Sequence, residues 1–478
     1  MKDKKQNKRI NGGHRLLFFC ILCLFGLYVA VSYAEEQPQR EQSKTKVILL
    51  HTDNLTYDQY RHPGAQILTG NVQFQHDGVL MYCDSACFYE ATNSFDAFGH
   101  VKMVQGDTLD LVGDMLLYNG LDQLARVRHN VVLTHRESKL YTDSLDYDRL
   151  YELGYFFEGG KLVDKDNVLT SDWGQYSPPT RQAVFNYNVK LENPKFTLIS
   201  DTLNYNTLTS MAEIVGPSNI DSGDNHIYSE SGFYNTQTEE AILLDRSIVT
   251  NKGRKMVGDS LYYDSKSGVG EGFRNVVYTD EVNKNMLTGN YCYYNDSTGY
   301  SMATDSAVAI DYSQRDTMYM HADTFKVYTF YMDTDSMYRE VRGYHKVRSY
   351  RMDVQSVCDS LVFDSRDTCI TMYRDPIVWN GGQQVLGEVI KVYLNDSTID
   401  RIHVIDQTLS VDRIDSVHYN QVAGKEMTSY FRDGEMYETW VNGNVYVDYY
   451  MFDDDSLMIG LNYTETTELK LFMKDRKM

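Results

Sequence analysis

With 67 Asp and Glu side chains against 46 Lys and Arg, carboxylate chemistry is the first possibility to weigh. Two carboxylates facing each other across a sugar linkage can hydrolyse it. The acids here are spread evenly along the chain, and no segment is built differently around a pair. Asp453-Asp454-Asp455 offers oxygen ligands for calcium but lacks the Gly and distal Glu of an EF-hand loop, so it reads as a solvated turn. Cys83 and Cys87 stand without a nearby His or second Cys pair, which leaves zinc no ligand set. The nucleophile elbow, the zincin H-E-x-x-H, the P-loop and the Rossmann fingerprint are all missing. The sequence therefore predicts no catalytic residues, no metal and no cofactor; the chain does not read as an enzyme.

What the acids do instead is recur. Thr142-Asp143-Ser144-Leu145-Asp146-Tyr147 returns as Ser200-Asp201-Thr202-Leu203-Asn204-Tyr205 and as Gly258-Asp259-Ser260-Leu261-Tyr262-Tyr263. The acidic positions are 53, 84, 114, 143, 172, 201, 230 and 259, a step that settles at 29 residues. A second landmark follows each, a polar residue and then an aliphatic one: Asn71-Val72, His100-Val101, Asn130-Val131, Asn188-Val189, Asn275-Val276 and Asn444-Val445. An acid repeated in every unit points to structure, since catalysis needs few copies; it fits a turn or the start of a strand. His100 and His129, beside these landmarks, read as turn or solvent-facing residues.

The elements that carry these residues are strands. Around both landmarks apolar residues alternate with period two, as in Leu145 and Tyr147 or Val131 and Leu133, the pattern of a sheet with one buried face. Turn-forming pairs such as Asn119-Gly120 and Ser267-Gly268 fall between strands. Each unit of about 29 residues supplies two strands and cannot bury its apolar face alone, so units must stack. A composition with 39 Tyr and only 7 Pro agrees, because Tyr suits a pleated surface and Pro breaks ladders. The expected fold class is all-β, elongated and repeat-built.

The N-terminus reads as an export signal. Basic residues end at Arg15, an apolar run covers 16–31, and Ser32-Tyr33-Ala34 suits cleavage; a retained anchor is the alternative. The whole chain carries a net charge of −21, and without the six basic residues and one acid of positions 1–34 the remainder carries −26. Nucleic-acid binding by phosphate neutralisation is excluded. The organisation predicted is a signal at 1–34, a linker at 35–46, regular repeats over 47–300, a less regular block over 301–450, and an acidic turn with a final segment over 451–478. Five cysteines follow the signal, an odd number that leaves at least one unpaired.

The ordered Asp-x-Leu-x-Tyr and Gly-Asn-Val landmarks resemble the OstA-like family. That group contains the periplasmic lipopolysaccharide bridge LptA and the N-terminal domain of the outer-membrane assembly protein LptD. The resemblance spans roughly 47–450. In the later block, His321-Ala322-Asp323-Thr324, Cys358-Asp359-Ser360-Leu361, Asp375-Pro376-Ile377-Val378-Trp379 and Gly443-Asn444-Val445 resemble the long OstA-like proteins of Bacteroidetes-type bacteria. The chain stops soon after its last repeat, which makes it more like an elongated LptA, or a detached LptD N-terminal domain, than a complete outer-membrane translocon.

The resemblance implies a folded-over β-jellyroll in the periplasm, a lipopolysaccharide-transport role, and an apolar interior that shields lipid A acyl chains. Lining candidates are the inward repeat positions: Leu55, Tyr57, Val72, Phe74, Val101, Met103, Val131, Leu133, Leu145, Tyr147, Val189 and Leu191. Partners implied are lipopolysaccharide and Lpt-type jellyrolls, or a second copy, docked by strand-edge pairing near 47–50 and 441–450. The rival reading is a structural or adhesive β-solenoid without lipid, whose interior would be closed and filled by side chains.

Overall fold

The computed structural model describes residues 45–472 except 314, 333, 353, 396–397, 433–434 and 454–456. The expected export signal, nearly all of the linker and two of the three acids of the Asp453-Asp454-Asp455 turn lie outside the described residues. The rest is all-β, one antiparallel sheet of 34 strand segments with a single short 3₁₀ turn at Glu90–Thr92. No helix among the described residues is long and apolar enough to cross a membrane.

Consecutive strands pair as hairpins along their whole length. Gln66–His76 pairs with Val79–Tyr89, which pairs with Ser94–Gln105, then Leu109–Asn119, Leu124–His135 and Ser138–Asp148. The first of these turns is the two-residue Asp77-Gly78, both with positive φ (45° and 78°), the geometry whose twist matches the flanking strands.

Each long strand is folded at its middle, and here the recurring Asp finds its place. In alternate strands two successive residues adopt left-handed φ: Gly70-Asn71, Gly99-His100, His129-Asn130, Tyr187-Asn188 and Arg274-Asn275. Pairing skips those two residues against a single residue of the neighbouring strand, for example Asp84 between Cys83 and Ser85. Extra residues on one strand bend it and sharpen its twist. The carboxylate then brackets the corner. Asn130 Nδ2 donates to Asp114 Oδ2 at 2.7 Å, Asn188 to Asp172 at 2.7 Å, and Asn275 to Asp259 at 2.8 Å, while His100 Nδ1 lies 2.7 Å from Asp84 Oδ2. The acid thus stands at the corner, within a continuous strand at Asp84, Asp114 and Asp143 and immediately before a strand segment at Asp172 and Asp259. Parity adjusts there too: in Val79–Tyr89 the buried set passes from Val79, Met81 and Cys83 to Ala86 and Phe88.

The bends divide every strand into two limbs that face one another. Phe74 and Phe95 stack with ring centroids 4.1 Å apart although their strands are not hydrogen-bonded neighbours. This is a sheet folded over itself, consistent with the jellyroll expected from the resemblance. Two apolar clusters lie between the limbs, one ending at Leu261 and the next beginning at Val276. Packing therefore changes before position 300, where the sequence period loosens, while the sheet itself runs on unbroken through Val269–Asp280.

One edge differs from expectation. The strand Glu435–Phe452 is covered along its length by Met458–Phe472, so 441–450 is not the C-terminal edge. Leu469 and Leu471 alternate with Lys470, and that period-two pattern adds a last strand. The two leucines pack on the second cluster, and the Lys470 ammonium lies 4.0 Å over the Trp440 ring outside.

Candidate functional site

The interior between the limbs has two regimes, and the side chains at inward positions decide which. Over the first six long strands those positions carry Leu68, Phe74, Met81, Phe95, Met103, Leu111, Leu116, Tyr118 and Leu133, all at most 2% exposed. Large side chains from both limbs interlock and leave the space filled, as close packing of an interior requires.

The lips of this half, opposite the bends, are tied by polar pairs. Tyr118 Oη lies 2.7 Å from His76 Nδ1 and accepts from Arg149 Nη1 at 2.5 Å. Further along, His135 Nδ1 lies 2.8 Å from Tyr176 Oη. Next, Tyr205 Oη donates to Asp164 Oδ2 at 2.8 Å and accepts from Asn167 at 2.9 Å. Burial pushes both imidazoles below their ordinary value and the Tyr118, Tyr176 and Tyr205 phenols upward. These are hydrogen-bonded latches along a seam, which satisfy buried polar groups that would otherwise be costly.

Of the twelve lining candidates, Val72, Phe74, Val101, Met103, Val131, Leu133, Leu145, Tyr147, Val189 and Leu191 point into this sealed half and are at most 2% exposed. Leu55 and Tyr57 do not lie inside; they are 43% and 68% exposed. Leu55 pairs with Leu68 and so has the inward register, but its strand, Asn54–Tyr57, ends the sheet among the described residues, where no further strand covers it.

From Val269–Asp280 to Val354–Asp364 the interior is different. Register places Gly270, Gly272, Gly289, Ser301, Ala303, Ala307, Ala309, Ala322, Gly343, Ser349 and Ser356 at inward positions. Small residues replace the Leu, Phe and Met of the first half. Larger neighbours lie flat against the wall: a Cβ at Gly270 would overlap the Tyr294 ring, and one at Gly343 would stand 3.2 Å from Phe325. Beside the bends the floor stays buried, at Val276, Cys292, Phe325, Val347, Cys358 and Leu361. Towards the lips, Tyr278, Leu287, Tyr294, Met320, Val327, Val341 and Phe363 are only half-buried. The result is an apolar trough.

The sequence reading missed this trough and the latches. The signal for the trough was there, as small residues at alternate positions of successive strands, but it becomes visible only once pairing register is known.

The remaining candidates for chemistry stay structural. Cys83, Cys87, Cys292, Cys358 and Cys369 are buried and unpaired; burial pushes the Cys83 and Cys358 thiols up to about 12, far from a reactive thiolate. Among the described residues no three His, Cys, Asp or Glu side chains converge as a metal site. His100 and His129 are exposed at corners, paired with Asp84 and Asp143.

A family model described as OstA-like protein matches residues 44–201 and, again, 196–259. No curated protein matches the chain. The trough between Val269 and Asp364 lies beyond the matched residues.

Proposed function

The chain belongs to the OstA-like protein family, and from that premise we propose that it is a cell-envelope carrier of lipopolysaccharide, shielding lipid A acyl chains between its two limbs in the periplasm. The observation that carries this reading is the apolar inward face, carried by two successive clusters that together run from Leu68 to Leu471. Burying acyl methylenes stabilises by about 0.8 kcal/mol each, enough for an apolar interior to hold an acidic lipid against a net charge of −21. Family membership supports transport and no enzyme. Docking to Lpt-type jellyrolls, or to another copy, would use the terminal strand edges.

The sealed first half favours a second reading for that part alone. Its interior is filled as a lipid-free scaffold's would be, so it serves as a rigid span. The deciding experiment is to purify the full chain from its own envelope and quantify co-purifying lipid A by mass spectrometry. We expect lipid A at a sizeable fraction of one per chain. A folded β-protein recovered free of lipid A would leave the scaffold reading for the whole molecule.

A further inference from the structure

We propose that ligand binding is divided along the chain, with the trough over Val269–Asp364 receiving a fatty-acyl chain while the half before Leu261 stays shut. This rests on the lipid-carrier reading above and deepens it, placing the contact where neither the family match nor the lining candidates put it.

Three observations converge on an acyl chain as the occupant. First, the lining is apolar and incompletely covered: Leu287, Ala309, Met320, Val341 and Val354 are half-buried and pack at the margin of the second cluster, and Val327 is half-buried beside them in the inward register. Half-buried aliphatic side chains at inward positions keep apolar surface in water, which a further apolar group would cover. Second, the length fits. Six adjacent strands at ~4.8 Å spacing span about 24 Å, and one leaflet of a ~30 Å hydrocarbon core corresponds to a chain of about 15 Å. Third, charge is arranged for an amphiphile. From Val276 to Phe363 the inward positions carry no formal charge until the lips. There Arg339 pairs with Thr329, so it has the inward register, and it is exposed. Among the described residues its guanidinium forms no ion pair, whereas Arg254, the other cation beside Tyr278, is held by Asp280 at 3.3 Å. Asp280 and Asp296 stand beside Tyr278 as well, so the lip carries both signs, and an uncharged trough edged in this way suits an apolar tail whose polar head stays outside.

The test uses the full chain with a photoreactive amino acid placed at Leu287, Val327 or Val341, and in a second set at Phe74, Leu133 or Leu145. Each is mixed with lipid A vesicles and, separately, with vesicles carrying palmitoyl phosphatidic acid. Labelling by both lipids at the first set, several-fold above the second, is the expected result. Labelling by phosphatidic acid alone at the first set would keep the trough and remove lipopolysaccharide as its cargo. Lipid A labelling at Phe74 or Leu133 instead would keep the carrier and overturn the division. No labelling at either set, in chains whose β-structure is intact by circular dichroism, would overturn both.

A filling variant guards against labelling without a site. Ala309→Trp with Ser349→Leu should cut labelling at Val327 several-fold with the unfolding midpoint unchanged. Unchanged labelling would overturn the trough. Arg339→Gln should weaken phosphatidic acid labelling and spare palmitoyl phosphatidylcholine; equal effects on both would remove the head-group contact.

Discussion

At the scale of single residues, the molecule separates what shapes it from what closes it. Asp84 and its counterparts shape the corners. At Gly99, φ is +75° and an added Cβ would overlap the Asp84 carboxylate, so only glycine fits both the backbone and the bracket. The seam latches do the closing, and they respond to protons. His76 Nδ1 faces the Tyr118 hydroxyl and lies 3.3 Å from Arg149 Nη1, and its Nε2 is 3.3 Å from the Thr45 carbonyl. Nδ1 is therefore an acceptor and the ring is neutral; a second proton would point at a guanidinium. Burial, with Arg149 adding to it and Asp77 opposing, lowers the folded pKa of His76, and burial beside Arg136 and Arg181 lowers that of His135. The unfolded chain then binds more protons than the folded one below the ordinary value of 6.5. Stability from these latches is complete above that value and is lost as pH falls from it towards the folded pKa. Urea titrations should show the midpoint falling between about pH 7.5 and 5.5, within the range where histidine charge changes. The double variant His76→Gln, His135→Gln should flatten that slope, and an equally steep slope in the variant would assign it to other groups.

At the scale of elements, the same strand plan yields a filled core or an open trough according to inward side-chain size. Much of this was legible beforehand. Alternation around Leu145 and Val131 gave strands and their faces, and the spaced acids gave the unit. What the pattern could not give was the relation between limbs: that Phe74 meets Phe95 follows from folding at Gly70-Asn71, which local alternation does not encode. Leu55 and Tyr57 fit the pattern as well as any residue, yet stand in water because burial depends on having a next strand. The trough escaped because small residues at Ser301 or Ala309 look like weak strands until register lines them up. These regimes predict opposite responses to one kind of substitution. Val131→Asp buries an unpaired carboxylate in a filled core at a site 1% exposed and should cost several kcal/mol; loss of the near-ultraviolet signal and ready proteolysis would report it. Val341→Asp, at a half-buried lip position, should leave the protein folded with its acyl labelling lost. Equal unfolding by both would mean that the trough wall is as tightly packed as the core.

At the scale of the whole molecule, a folded sheet of this kind has two ends, and each exposes an unpaired edge. At one, among the described residues, Ile48–His51 and Asn54–Tyr57 each bond only to Gln66–His76, with Ile48, Leu50, Leu55 and Tyr57 between 43% and 68% exposed. At the other, among the described residues, Met458–Phe472 bonds only to Glu435–Phe452 and exposes Ile459, Leu461 and Tyr463. Bare edges with apolar side chains invite strand addition. Joining the last strand of one molecule to the first of another would extend the sheet and carry the apolar interior across the junction. The asymmetry matters: the trough lies nearer the C-terminal edge, with buried residues such as Ile390, Val404 and Val441 between the two, while the N-terminal edge adjoins the sealed half. Lysine on an edge is the device that blocks such pairing. Leu461→Lys with Tyr463→Lys should therefore convert concentration-dependent end-to-end assembly, read by sedimentation velocity, into monomer, without changing the unfolding midpoint. Leu50→Lys with Leu55→Lys at the opposite end should do the same if the contact is head to tail. Assembly surviving either pair would exclude head-to-tail pairing, whereas loss through the C-terminal pair alone would indicate that two C-terminal edges meet. A wild-type chain that stays monomeric throughout would leave a different jellyroll as the partner of these edges.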